Sequence, residues 1–490
     1  MASSFRINLA WSLFSRYINM VLQFATIIIL ARLLTPEEIG IYSIAVAFFG
    51  IGQIIRDFGI SEYITQEKDL SSDKVASAFT VSLSICWTLA LVFYLLGPVI
   101  SDFYGRQELN ELFGWLILNF LLIPFGTLTL SLLKRALQFK KLMIINFVST
   151  LAYSLVAVAM AYLGYSHLSL AWASVSGTAA TILMAWVYRP ADQPWLPSVA
   201  AIRHVASFGF KMSYATMAGY LNKSAPELII GKFQGAHEVA IFGKAMSTTL
   251  LFTELVFNGL SKVIEPAFAQ KNREQGDLKA PFMHATAALT VIAWPFFAFF
   301  VVMAEPIILF LYGDQWIESI PLLRVVSIAA MIYFTFNLTA RVLVSKGKSS
   351  RLAVIQTQFL IFALISIFIA VQYDLYMVAL AIVAERFYRV WVLSSDLRRE
   401  LGVTLSDYVP VLTKGIAITL VTLVGPVLVA WINQEQPWHE FWQLAAAGPV
   451  WALSWIGAVF LFSHPIKQEL ILVLNVIKAK YGNKAVPNNG

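Results

Sequence analysis

From Ala10 to about Leu461 the chain alternates long apolar stretches with short polar connections. The pattern predicts fourteen membrane-crossing helices, at roughly 9–33, 38–58, 75–100, 109–132, 143–163, 168–188, 206–231, 237–264, 282–311, 317–344, 351–371, 374–396, 411–432 and 442–463. Each stretch is near or above the ~20 residues that cross a hydrocarbon layer of about 30 Å. Pro124, Pro226 and Pro295 fall inside such stretches, where a helix in a bundle absorbs them as kinks. The ten-residue alternation of a membrane barrel is not seen. The expectation is an all-α polytopic membrane protein.

Composition agrees. Hydrophobic residues make up 59% of the 490, charged residues 13%, and the mean hydropathy is +0.72. The placement of charge says more than its amount. Of 35 Lys and Arg, six lie inside the predicted crossings: Arg16, Lys223, Lys244, Arg324, Arg386 and Arg389. Three (Arg32, Arg106, Lys232) sit at odd-numbered connections, and the remaining 26 collect at the even connections and the two ends. The positive-inside rule then puts both termini in the cytoplasm. The net charge of +7 is accounted for by topology, so nucleic acid is not an expected partner. Cys86 is the single cysteine, which excludes a disulfide within the chain. Neither a metal nor a cofactor is expected.

The chain also repeats. An offset of 200 residues pairs Glu38-Ile39-Gly40-Ile41-Tyr42 with Glu238-Val239-Ala240-Ile241-Phe242, and Phe58-Gly59-Ile60-Ser61 with Asn258-Gly259-Leu260-Ser261. An offset of 208 pairs Tyr104-Gly105 with Tyr312-Gly313. Crossings one to six therefore match seven to twelve. An even number per half keeps both halves in one orientation, a parallel repeat with a cavity expected between two lobes. The expected division is an N-terminal lobe at 1–200, a C-terminal lobe at 201–400, two added helices at 401–464, and a cytoplasmic amphipathic tail at 465–490.

The first outward turn, Thr35-Pro36-Glu37-Glu38, admits two readings: an acidic catalytic pair, or a helix start. Thr35 as N-cap, Pro36 at the first helical position and Glu38 three residues after the cap fit the second, a capping box. No outward connection is long enough for a catalytic subdomain, and the chain is not expected to be an enzyme.

Charges inside the crossings are the candidate chemistry. A Lys or Arg facing lipid near the bilayer centre costs about 2.5–3.5 kcal/mol. These residues must therefore face protein, water or one another. Ser12, Arg16, Asn19, Gln23 and Thr26 recur on one face of the first helix, as do Ser213, Thr216, Tyr220, Lys223 and Glu227 on the seventh. Asn337 and Arg341 extend a row begun by Arg324 and Ser327. A net-basic lining follows, suited to phosphate or diphosphate groups. Arg16, Lys223, Arg324 and Lys244 are the candidate diphosphate ligands, with Asn19, Gln23, Tyr220 and Asn337 lining the cavity. Tyr17, Tyr220, Tyr333 and Trp294 are candidate sugar contacts. Lys223–Glu227 and Glu385–Arg389 each have the alternative of simple pairing four residues apart.

The run Leu30-Ala31-Arg32-Leu33-Leu34-Thr35-Pro36-Glu37-Glu38-Ile39-Gly40-Ile41-Tyr42, followed by Arg56-Asp57-Phe58-Gly59-Ile60-Ser61 and Gln66-Glu67, resembles the opening of bacterial lipid-linked oligosaccharide flippases. These form the polysaccharide transporter branch of the multidrug, oligosaccharidyl-lipid and polysaccharide exporter superfamily. The resemblance implies a V-shaped pair of lobes and alternating access. It implies transfer of an undecaprenyl-diphosphate-linked oligosaccharide across the bacterial cytoplasmic (inner) membrane for surface polysaccharide synthesis. Polysaccharide polymerase and glycosyltransferases are the protein partners it suggests. Glu227, Glu254 and Glu385 are candidates for coupling to a proton or Na⁺. Two rivals carry their own signatures. A cation-coupled multidrug exporter of the same fold favours an acidic cavity, and a membrane glycan polymerase or glycosyltransferase wants a long outward loop.

Overall fold

A computed structural model describes the chain from residue 2 to residue 468, together with 471, apart from 58, 192, 195, 465 and most positions between 254 and 275. Side chains are described over the same residues except 2–16, 203–204, 206–216, 218, 252 and 349. Among the described residues the fold is helical, with no strand. The predicted tail helix and Glu254 lie largely or wholly outside them.

Two compact units divide the chain, residues 1–243 and 244–490. The first contains α1 (Ala2–Leu33), α2 (Pro36–Asp57), α3 (Ile60–Gln66), α4 (Ser72–Tyr104), α5 (Gln107–Leu122), α6 (Pro124–Arg135), α7 (Phe139–Tyr162), α8 (Leu168–Val187) and α9 (Ile202–Phe233), and the start of α10 (Ala236–Phe252). The second contains the rest of α10, then α11 (Lys279–Val302), α12 (Ala304–Tyr312), α13 (Ser319–Phe336), α14 (Leu338–Ser345), α15 (Ser349–Ala370), α16 (Leu375–Leu401), α17 (Leu405–Glu435) and α18 (Glu440–Leu461).

Among the described residues nine helices are long and apolar enough to cross a membrane, counting Pro36–Gln66 as one. The pair α5 and α6, bent by 48° where Pro124 follows Ile123, makes a tenth. Proline explains that bend, since it lacks an N–H and opens the helical ladder. At Pro226 and Pro295 the helices run on without interruption. Outward faces are apolar: Leu95, Val99 and Leu453 are 62%, 60% and 70% exposed. Contiguous exposed leucine and valine of this kind suit acyl chains and not water.

Helix starts follow from local chemistry. The capping box at α2 is formed: Thr35 N–H donates to Glu38 Oε2 at 2.7 Å, and Glu38 N–H donates to Thr35 Oγ1 at 3.3 Å. A helix start, and not a catalytic pair, accounts for both groups. Glu37 beside them pairs with Arg106. Ser71 caps α4, Asp374 caps α16, and Thr404 with Asp407 forms a second capping box at α17.

In the first unit α1 and α8 both pack on α7, while α9 packs on α2 and α4. The aromatic rings of Phe49, Phe93 and Phe120 stack between α2, α4 and α5, with centroids 4.5 Å apart for Phe49–Phe93 and 5.6 Å for Phe93–Phe120. In the second unit α11 carries the core, packing on α13 and α17 through Phe282, Leu289, Phe297 and Phe334. The start of α15 is joined to α16 by Arg351, whose guanidinium donates to both oxygens of Asp396 at 2.9 and 3.1 Å.

Candidate functional site

In the second unit the predicted Glu385–Arg389 pair is formed, and Arg386 joins it. Arg389 Nε donates to Glu385 Oε1, and Arg386 Nη1 donates to Oε2 at 2.8 Å. Four-residue spacing on α16 brings Arg389 over the carboxylate. Aromatic faces back both guanidinium groups: Arg386 lies 4.9 Å from the Tyr333 ring centroid and Arg389 lies 4.2 Å from that of Phe359. Glu385 is 4% exposed, so one buried carboxylate serves two cations.

Lys244 is also buried. Its ammonium stands 4.7 Å from the ring centroids of both Tyr312 and Trp316, and Thr248 Oγ1 ties Tyr312 in place at 3.2 Å. A desolvated cation between two ring faces is stabilised by their quadrupoles.

Arg324, on α13, is exposed, and Lys223, on α9, is exposed. Neither has an ion-pair partner among the described residues, and Lys223 does not pair with Glu227, which is half-buried. Arg16 belongs to α1, and its side chain lies outside the described residues. Tyr220 is committed to packing, its hydroxyl donating to Ala47 O at 3.2 Å and Val46 O at 3.4 Å. Trp294 Nε1 donates to Thr335 Oγ1 at 3.0 Å and Met331 O at 3.1 Å. Asn19 and Asn337 are half-buried, and Gln23 is exposed.

Gln23 leads to a feature that the single-helix stripes did not reveal. With Thr26 it lines a groove of about 430 Å³ in the first unit, completed by Ser149, Thr150 and Tyr153 of α7 and by Ser174, Thr178 and Thr181 of α8. The hydroxyls are ordered by one another. Thr26 Oγ1 donates to Ser154 Oγ at 2.7 Å, and Thr181 Oγ1 donates to Ser149 Oγ at 2.8 Å. Ser149 Oγ in turn donates to Gly177 O at 2.9 Å, and Asn119 Nδ2 donates to Ser174 Oγ at 3.2 Å. The lining carries no formal charge. Steps of four and three at Ser174, Thr178 and Thr181 were the available sequence signal.

Polar and charged groups held within helices long and apolar enough to cross a bilayer define a multi-pass membrane protein. The solved structure of the lipid II flippase MurJ in an inward closed conformation matches with a TM-score of 0.75, covering 95% of this chain and 99% of that one at 15% identity. The chain belongs to the polysaccharide biosynthesis protein family, which it matches over residues 29–321. Among its relatives is the teichuronic acid biosynthesis protein TuaB of Bacillus subtilis (strain 168), 24% identical over 74% of this chain and 75% of that protein. Another is the succinoglycan biosynthesis transport protein ExoT of Rhizobium meliloti (strain 1021), 26% identical over 66% of this chain and 65% of that protein. The resemblance seen in the opening residues therefore extends well beyond them, through the family match and along most of the fold.

Proposed function

We propose that the chain carries an undecaprenyl-diphosphate-linked oligosaccharide from the inner to the outer leaflet of a bacterial cytoplasmic membrane by alternating access. One observation carries the reading: a groove of about 430 Å³ in which hydroxyl side chains and the Gln23 amide stand beside Ile27 and Leu30, set among helices whose other faces are apolar. A glycan is a dense array of hydroxyls, and its transfer through hydrocarbon without polar partners costs several kcal/mol for each lost hydrogen bond. Side chains that both donate and accept replace those water contacts. The relatives named for teichuronic acid and succinoglycan synthesis point to substrates of the same chemistry.

The diphosphate is the second element of the substrate. Lys223 and Arg324, exposed and without ion-pair partners among the described residues, are its proposed ligands, together with Arg16. Arg presents a forked donor and Lys a point charge, and both suit phosphate oxygens. Lys244, enclosed by Tyr312 and Trp316, is assigned to holding its surroundings. Two lobes rocking about the bound headgroup would carry it across while the polyprenyl tail stays in lipid. Glu227 is the described carboxylate proposed for proton or Na⁺ coupling, since Glu385 is already engaged by two arginines.

Reconstitution into vesicles with a fluorescent lipid-linked oligosaccharide tests the reading directly. Leaflet exchange should depend on the protein and fall when Lys223 or Arg324 is replaced by Ala. Exchange no faster than in empty vesicles, or efflux of cationic drugs in its place, would overturn it.

A further inference from the structure

A cavity of about 50 Å³ lies in the second unit beside the Glu385 cluster, where the end of α13 and the start of α14 meet α15 and α16. Arg386 and Arg389 both line it, with Asn337 from the break between α13 and α14, and Gln356 from α15. Tyr333 and Phe359 also contribute, and they are the rings on which the two guanidinium groups rest.

We propose that this cavity is an oxyanion site for a single phosphoryl-sized group, held by Arg386, Arg389, Asn337 and Gln356. Charge is the first argument. Two guanidinium groups share one carboxylate, which leaves one positive charge uncompensated within a membrane protein. Neighbouring acids are not available to neutralise it: Asp396 is held by Arg351, and Glu400 by Lys346 and Lys348.

Donor count is the second. A guanidinium offers about five N–H groups. Glu385 takes one from each arginine, and the aromatic rings cover faces and leave edges free to donate.

The third is an unmet donor that points the same way. Asn337 Nδ2 is buried and has no hydrogen-bond partner among the described residues. A buried amide left unsatisfied is costly, and an anion beside two arginines removes that cost. Water accepts from Asn337 equally well but leaves the surplus charge standing. The cavity is small, about 50 Å³, and a compact ion suits it. The phosphoryl group is either free phosphate or the diphosphate end of a lipid, and the chemistry of recognition is shared.

The test is equilibrium binding of radiolabelled inorganic phosphate to the purified full chain in uncharged detergent, which requires no transport. Saturable binding of one phosphate per chain is expected. Asn337→Leu and Gln356→Leu, each melting as the wild type does, should weaken it about tenfold or more. Lys134→Ala, which removes an exposed cation of the first unit, should leave it unchanged. Displacement of the label by farnesyl diphosphate would assign the site to lipid-borne phosphate, and resistance to displacement would assign it to the free ion. Absence of saturable binding, or indifference to both Leu variants, would overturn the proposal.

Discussion

The indole Nε1 of Trp455 donates to the main-chain oxygen of Val291 at 2.8 Å, the acceptor that Pro295 leaves without its helical partner. Four residues on, a normal residue would have supplied the N–H. A second tryptophan of α18, Trp451, donates to Pro295 O at 3.1 Å. Trp455 thus mends the ladder of α11 at the point where proline opens it, Trp451 adds a second tie to the proline itself, and α11 runs on unbroken. Trp455→Phe should lower stability by about 1–2 kcal/mol, since a buried carbonyl loses its donor. In a Pro295→Ala background the same substitution should cost markedly less, because alanine at that position restores the N–H. Thermal melting of the four proteins in detergent checks this, and equal costs in both backgrounds would refute the account.

Gly40 gives a sharper prediction about packing. A Cβ on Gly40 would stand 1.7 Å from the carbonyl oxygen of Ala236, a backbone atom that cannot turn aside. At Gly50 the obstacle at 1.7 Å is the Tyr220 hydroxyl, the end of a side chain. Gly40→Ala should therefore destabilise the first unit by about 2 kcal/mol or more, and Gly50→Ala by less. Expression and melting temperature of the two variants give the comparison. Equal stability would show that α2 and the start of α10 can separate freely.

His464 sets an acid limit. It follows α18, is 2% exposed, and accepts a hydrogen bond from Ile466 N–H on Nδ1 at 3.3 Å. Burial first, then the positive charges of Lys414 and His284, push its pKa down to about 4 from the ordinary value near 6.5. The folded state thus binds fewer protons than the unfolded chain between those values, so stability falls as pH drops from about 6.5 toward about 4. Moving from pH 7.5 to pH 5 should cost about 2 kcal/mol through this group. His464→Gln should flatten that part of the profile, and an unchanged pH dependence would remove His464 from the explanation.

The transport reading separates cations by their surroundings. Arg324→Ala should reduce glycan export at least tenfold with the protein inserted at normal abundance. Lys244→Met keeps the apolar stem between Tyr312 and Trp316 and should preserve most export. Cell-surface polysaccharide, normalised to membrane-fraction protein, measures both. The opposite order of effects would place the substrate phosphate at Lys244.

Hydroxyl chemistry in the first-unit groove can be tested apart from charge. Thr178→Val and Thr181→Val keep shape and remove donors. Together they should slow leaflet exchange several-fold without lowering abundance. Unchanged exchange would detach the groove from glycan passage.

Much of the fold was legible because its determinants are local. Apolar runs gave the helices, Thr35 and Glu38 gave the start of α2, and four-residue spacing gave Glu385–Arg389. The same spacing failed for Lys223 and Glu227, which form no ion pair: Lys223 is exposed while Glu227 is half-buried. What sequence could not give depends on neighbours distant along the chain. The rings around Lys244 come from α12 and the turn after it. The hydroxyl groove needs α1, α7 and α8 side by side, and the close approach of Gly40 to Ala236 has no counterpart in spacing. At the matching position of the second half, residue 240 is alanine, so even the repeat gave no warning.

The sharing of one acid between two bases at Glu385 has a lopsided outcome for sequence drift. Loss of either arginine leaves an intact, electrically balanced couple, whereas loss of the glutamate strands two like charges side by side in a dry setting. Position 385 should therefore tolerate change far less than 386 or 389 taken singly. A saturation library scored for membrane abundance would find the constraint concentrated on the single acid.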